Sequence, residues 1–136
     1  MLDTNVLVSA MHWRRGASFR LVSLIGMGEF EVCLSVPLCL EYEAKLLEQV
    51  EELPIGRLDI GRLLDYLASV AYRQAVFFLW RPTLREPRDD MVLELAVAAD
   101  ARCLVTHNRR DFDRANDFGV EVVTPGKYLI DRGLNQ

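Results

Sequence analysis

The sequence predicts an α/β fold, a three-layer α/β/α domain around a central, mostly parallel five-stranded sheet. Three observations carry that expectation. The chain has 136 residues, 51% of them hydrophobic, which suits a single domain (1–136) with a core of its own. Five short apolar runs, not alternating with polar residues, are spread along it, and such runs mark strands buried on both faces. Segments with helical spacing separate the runs, as expected for parallel strands beneath covering helices. No internal repeat, low-complexity tract or long linker interrupts the pattern.

The elements follow in order. Met1 and Leu2 form a very short first strand that ends at Asp3. In "GASFRLVSLIGMGEF", Phe19 and Val22, and Leu21, Leu24 and Ile25, have helical spacing, and Gly26 and Gly28 stop the helix. Phe30 to Ser35 reads as a short buried strand. "SVPLCLEYEAKLLEQV" is a helix with Ser35 as its cap and Pro37 in its first turn, and with Val36, Leu40, Ala44 and Leu47 as an apolar stripe. "LPIGRL" breaks the pattern. Asp59 then starts a helix that turns Leu63, Leu67 and Val70 inward. Ala75 to Trp80 is a strand, and "RPTLREPRDD" a loop. "MVLELAVAADA" is a helix apolar on most sides, hence largely buried. "RCLVT" is a strand, "RRDFDRANDFG" a short helix closed by Gly119, "VEVVT" the last strand and "PGKYLIDRG" a short terminal helix.

Composition narrows the function. No apolar run reaches the roughly 18 residues that span a bilayer, and no basic region precedes the first apolar run as in a signal peptide. Cys33, Cys39 and Cys103 are odd in number, lie in apolar surroundings and lack C-x-x-C spacing. They read as buried free thiols of a cytoplasmic protein. The net charge of −4, from 16 basic and 20 acidic residues, argues against a plain electrostatic binder of nucleic acid. The distribution is uneven, however. Basic pairs stand at Arg14–Arg15 and Arg109–Arg110, and acids gather at Glu41/Glu43, Glu86/Asp89/Asp90 and Asp111/Asp113.

Sites in open parallel sheets lie beyond the carboxyl ends of the strands. Asp3 ends the first strand, Asp89–Asp90 begins the apolar helix, and Asp111 follows "RCLVT" and the linking "HNRR". Glu41 stands near the start of the helix that Ser35 caps. Each has an ordinary alternative: Asp3 as a turn cap, Asp90 as an N-cap, Glu41 as an i,i+4 partner of Lys45, Asp111 as a first-turn acid. Four carboxylates meeting at one place at neutral pH need raised pKa values or a cation. Mg²⁺ and Mn²⁺ take hard oxygen ligands. Only His12 and His107 are present and C-x-x-C is lacking, so zinc is not expected. A carboxylate-held Mg²⁺ or Mn²⁺ suits phosphodiester hydrolysis.

"LDTNVLVSA", "LSVPLCLEYEAKLLE", "REPRDDMVLELAVAADARCLVTHNRRDF" and "VEVVTPGKYL" together resemble a PIN domain, most of all the VapC-type toxins of bacterial and archaeal toxin–antitoxin pairs. The resemblance covers nearly the whole chain. It implies a metal-dependent endoribonuclease whose acidic quartet holds one or two Mg²⁺ or Mn²⁺ ions, and it carries Asp3, Glu41 and Asp90 onto the first three positions. Asp90 is preferred to Asp89 because its distance to Asn108 keeps the family's register, and Glu41 to Glu43 for its spacing after Ser35. Two departures stand out. Where the family often has T-x-D, this chain has Thr106-His107-Asn108, so the fourth acid is assigned to Asp111, three residues on, with Asn108 as an orienting neighbour. The family also carries several apolar residues before its first aspartate. Here only Met1 and Leu2 precede it, which points to a start upstream or to a trimmed chain.

On this reading the metal is the partner that Asp3 needs, and "NVLVSA" begins a helix. Asn5, Thr106, Asn108 and Asp89 support the ligands from behind. Trp13, with Arg14 and Arg15, is the expected place for a base and a phosphate of RNA, as are Arg109 and Arg110. A solvated surface or a protein contact is the alternative for each pair. The implied products carry a 5′-phosphate and a 3′-hydroxyl. The implied partners are an RNA substrate, an antitoxin protein and a second copy of the chain. The helices from Ser18 to Ile25 and from Asp59 to Val70 are candidates for the homodimer contact. The alternative is a catalytically weak or inactive PIN-like module that binds RNA or protein, and Asn108 is its main support. A phosphohydrolase of the haloacid-dehalogenase type requires Asp-x-Asp after its first strand, and the second position here is Asn5.

Overall fold

The computed structural model describes residues 1–74 and 87–135, and for 87–91 the backbone only. Among the described residues the order is α1 (Thr4–His12), α2 (Ala17–Ser23), β1 (Cys33–Leu34), α3 (Val36–Glu48), α4 (Arg57–Val70), β2 (Tyr72–Arg73), α5 (Pro87–Ala98), β3 (Cys103–Val105), β4 (Glu121–Val123) and α6 (Pro125–Asp131). Short 3₁₀ turns lie at Val50–Glu52, Arg109–Phe112 and Ala115–Phe118.

Local chemistry explains where the helices begin and end. Asp3 caps α1, its carboxylate accepting from the Thr4 amide at 2.8 Å. Ser35 Oγ accepts from the Leu38 amide at the start of α3, with Pro37 in the first turn. Gly56 caps α4, and its amide donates to the Asp59 carboxylate three residues on. The chain leaves α2 through Gly26, which has φ 82° and lies against the Tyr66 hydroxyl, where a side chain would collide. Gly119, with φ 79°, closes the segment read as one short helix. That segment is two successive 3₁₀ turns, too short to settle into α geometry.

The fold is α/β, but the expected five-stranded sheet is not found among the described residues. Its place is taken by two parallel pairs, β1–β2 and β3–β4. A ladder is only as long as its shorter partner. The Met1–Leu2 strand makes a single parallel bridge, Leu2 to Val105, with the Asp3 amide bonded to the Val105 carbonyl at 2.9 Å. The run from Phe30 keeps only Cys33 and Leu34 in register, because β2 offers just Tyr72 and Arg73. The strand expected at Ala75 to Trp80 lies outside the described residues. Helix α5 packs against both β1 and β3, which links the two pairs. Its buried Val92, Leu93, Leu95 and Ala96 fit the apolar character read from the sequence, and Glu94 is buried among them.

Two helix faces differ from expectation. On α3 the buried residues are Leu38, Tyr42 and Leu46, while Val36 is 74% and Leu40 60% exposed and Ala44 is exposed too. Two apolar stripes compete on this helix. Tyr42 decides between them, because its hydroxyl donates to the buried Leu2 carbonyl, a bond that the rival stripe has no side chain to make. On α4 the inward residues are Ile60, Leu64 and Leu67. Leu63 is half-buried and Val70 is exposed. The cysteines are free, with Cys33 buried and the other two half-buried, and burial pushes each thiol up from its ordinary pKa.

Candidate functional site

The rotation of α3 that buries Tyr42 turns Glu41, on its neighbouring face, toward the carboxyl ends of β1 and β3. There a cleft of about 370 Å³ is lined by Asp3, Glu41, Asn108 and Asp111, together with Thr4, Asn5, Val8, Ser9, Lys45, Gln49 and Val92. Three of the four predicted acids therefore face one cavity. The fourth, Asp90, and its neighbour Asp89 have side chains outside the described residues. A second cavity of about 350 Å³ opens at the amino ends of the strands and is lined by Met1, Cys33, Cys103, Tyr128 and Arg132 among others. The rule for parallel sheets favours the carboxyl-end cleft, and that is where the carboxylates collect.

Asp3 is the most constrained of the acids. It is buried at the end of the first strand. Thr106, wholly buried just past β3, donates its hydroxyl to Asp3 Oδ2 at 2.7 Å. Thr106 Oγ1 in turn accepts from the Asn108 amide at 3.1 Å and from Asn5 Nδ2 at 3.4 Å. Asn5 Oδ1 accepts from the His107 amide at 3.3 Å. This closed network joins the start of α1 to the turn after β3. Burial raises the Asp3 carboxyl above its ordinary pKa, the bonds from Thr106 and Thr4 lower it, and the charges of Glu41 and Asp111 raise it again. The charges of Glu41 and Asp111 thus reach Asp3 across the cleft.

The donor set is made of carboxylate, carboxamide and hydroxyl oxygens, the hard ligands that Mg²⁺ and Mn²⁺ prefer. Among the described residues no three His, Cys, Asp or Glu side chains form a group that could hold an ion by themselves. An ion here would rely on water and on groups outside that set, as Mg²⁺ commonly does. Thr4 gives a further sign. Its Oγ1 is a buried side-chain oxygen with no hydrogen-bond partner among the described residues, and Thr4 lines the cleft beside Asp3. Buried polar atoms are nearly always paired, so an unpaired one at this cleft fits a place meant for another polar group. The residues therefore fit a divalent ion.

The side chains expected to contact RNA are exposed. Trp13 is 72% exposed just past α1, with Arg14 and Arg15 exposed behind it. Arg109 and Arg110 are exposed and share a shallow depression with His107, Asn108 and Asp111. Sequence reasoning missed Thr4, Lys45 and Gln49 as cleft residues. The i,i+4 spacing of Glu41, Lys45 and Gln49 was the available signal, and the wrong choice of stripe on α3 hid it. Of the two helices expected at a dimer contact, α2 turns Leu21 inward and the following Ile25 is buried as well, while α4 exposes Leu58, Tyr66 and Val70.

A family model for the PIN domain matches residues 1–110, from the first strand to the turn carrying Arg109 and Arg110, and ends one residue before Asp111. Comparison with the curated proteins and with the solved structures finds no match. PIN domains are generally nucleases, and they generally use divalent metals. With its acids gathered at the strand ends and most of its length matched, this chain belongs to the PIN domain family.

Proposed function

We propose that the protein is a divalent-metal-dependent endoribonuclease that hydrolyses phosphodiester bonds of single-stranded RNA, and that it is the VapC-type toxin of a toxin–antitoxin pair. The observation that carries the reading is the convergence of Asp3, Glu41 and Asp111 on one cleft in a chain of a nuclease family. Asp3, Glu41, Asp90 and Asp111 are the proposed ligands of Mg²⁺ or Mn²⁺, which when bound supplies an activated water and stabilises charge on the leaving oxygen. Thr106 and the Thr4 amide fix the Asp3 carboxylate, and Asn5 braces Thr106. Asn108 and Asp89 orient the ligand set. Trp13, Arg14, Arg15, Arg109 and Arg110 hold the RNA. Water oxygen bonds to phosphorus as the bond from phosphorus to the 3′-oxygen breaks, which leaves a 5′-phosphate and a 3′-hydroxyl.

The proposed setting is the cytoplasm, with an antitoxin protein as partner. Among the described residues no helix is long and apolar enough to cross a membrane. A homodimer is the proposed assembly, with the exposed apolar residues of α4 as its contact. The neutral Asn108 favours a second reading, a PIN-like module that binds RNA or protein and cleaves weakly or not at all. End-group analysis tests the mechanism. RNA incubated with the protein and Mn²⁺ is expected to give 5′-phosphate and 3′-hydroxyl ends. Fragments ending in a 2′,3′-cyclic phosphate would exclude attack by water.

A further inference from the structure

The cleft does not stop at the carboxylates. Along α3 it is lined by Glu41, Lys45 and Gln49, and along α1 by Asn5, Val8 and Ser9. Residues four apart on a helix share a face and advance by about 6 Å. The α3 wall therefore runs from a carboxylate to an ammonium to a carboxamide over about 12 Å. Gln49 is held in place, its Oε1 lying 2.7 Å from His12 Nε2. His12 is the last residue of α1, immediately before the exposed Trp13, Arg14 and Arg15.

Lys45 stands out in this wall as a cation among acids. Its ammonium meets Glu48 Oε2 at 3.5 Å, an i,i+3 pair whose acid is mostly exposed. Such pairs contribute little and yield readily to a stronger anion. A strand whose scissile phosphate sits at the acids must carry its next phosphate past Glu41, and the chain as a whole has a net charge of −4. A cation one helical turn away from the acids offsets that repulsion without displacing their ion.

Building on the nuclease reading, we propose that Lys45 binds the phosphate adjacent to the scissile one, and that the His12–Gln49 pair bounds the nucleotide beyond it. Substrate RNA then lies along the α1–α3 groove and leaves it beside Trp13.

Two arms test this. Wild type, Lys45→Gln and Lys45→Arg are assayed with Mn²⁺ on a dinucleoside monophosphate, which has no neighbouring phosphate, and on a trinucleoside diphosphate, which has one. The preference of wild type for the longer substrate, as kcat/KM, is expected to fall about tenfold in Lys45→Gln through KM, the size of one hydrogen bond to a charged group. Lys45→Arg is expected to keep most of it. An unchanged preference in Lys45→Gln, or an equal loss in both variants, overturns the proposal. In the second arm a fluorescent single-stranded oligoribonucleotide is titrated with Asp3→Asn and with Asp3→Asn/Lys45→Gln at several salt concentrations. One lost phosphate contact lowers the salt slope by about 1, and equal slopes and affinities overturn the proposal. If wild type cleaves neither substrate, the nuclease reading fails, and the binding arm alone decides the role of Lys45.

Discussion

Replacing Thr106 with valine asks whether the Asp3 carboxylate is held as the site requires. The change keeps the side-chain shape and deletes one fully buried hydroxyl. That hydroxyl donates to Asp3 Oδ2 at 2.7 Å and accepts from Asn108 and Asn5. Asn108 is exposed and Asn5 half-buried, so water can replace the lost acceptor for both. Asp3, only 8% exposed at the wall of the cleft, finds less relief from water. A hydrogen bond to a charged group contributes about 1.5–3 kcal/mol, so Thr106→Val is expected to cost about 2 kcal/mol. For a chain of this size that corresponds to roughly 6–10 °C in Tm. The loss also removes the main influence that lowers the Asp3 pKa, so the carboxyl titrates higher still. The penalty should be largest above the Asp3 pKa, where the carboxyl is ionised, and shrink toward acid as it becomes protonated. Urea unfolding in EDTA of wild type, Thr106→Val, Asp3→Asn and the double variant closes a cycle with an expected coupling of about 1 kcal/mol or more. Additivity within about 0.5 kcal/mol, or a loss equal at neutral and acid pH, would refute the reasoning.

Other outcomes follow from the same geometry. The Asp3 pKa is raised in the folded state, so between the unfolded value, about 4, and the folded one the native protein binds more protons than the unfolded chain. Metal-free stability should therefore fall as pH rises through that window; a wild-type melting curve that rises there relative to Asp3→Asn would contradict the sign. Saturating Mn²⁺ should raise the Tm of wild type by mass action and that of Asp90→Asn much less, and equal gains would remove Asp90 from the ligand set. On α3, Leu46→Ala should cost about 2–5 kcal/mol and Leu40→Ala no more than about 0.5 kcal/mol. Equal losses in denaturant unfolding would mean that the buried face has been misread.

Much of this arrangement is legible in the sequence because local chemistry carries it. Ser35 and Pro37 mark the start of α3, Gly26 and Gly119 mark stops where positive φ is needed, and the apolar run of α5, broken by the single charge of Glu94, announces its burial. The acids were legible for a topological reason, since Asp3 and Asp111 follow strand ends where parallel sheets place their sites. What escaped depends on long-range choices. The inward face of α3 is decided by the bond from Tyr42 to the Leu2 carbonyl, across some forty residues of chain. Lys45 looked like a surface partner for Glu41, because only the rotated helix brings it to the cleft. Strand lengths depend on partners, so Phe30 and Glu31 read as strand by composition yet stay outside the β1 ladder, to which Val32 adds only its carbonyl, bonded by the Tyr72 amide. The orphaned Thr4 hydroxyl left no mark in the sequence, because a threonine at the start of a helix is unremarkable until its neighbours are known.

The proposed hydrolysis of RNA by the acids at the strand ends, with a divalent ion, is tested most directly by cleavage of a single-stranded RNA by wild type and by Asp3→Asn purified in parallel, each with Mg²⁺ or Mn²⁺ and with EDTA. Wild type is expected to cleave in a way that EDTA abolishes and metal restores, and Asp3→Asn to lose at least about a hundredfold, the scale on which a single preorganised group matters in catalysis. Cleavage that persists in EDTA, or equal rates in the two proteins, would contradict it.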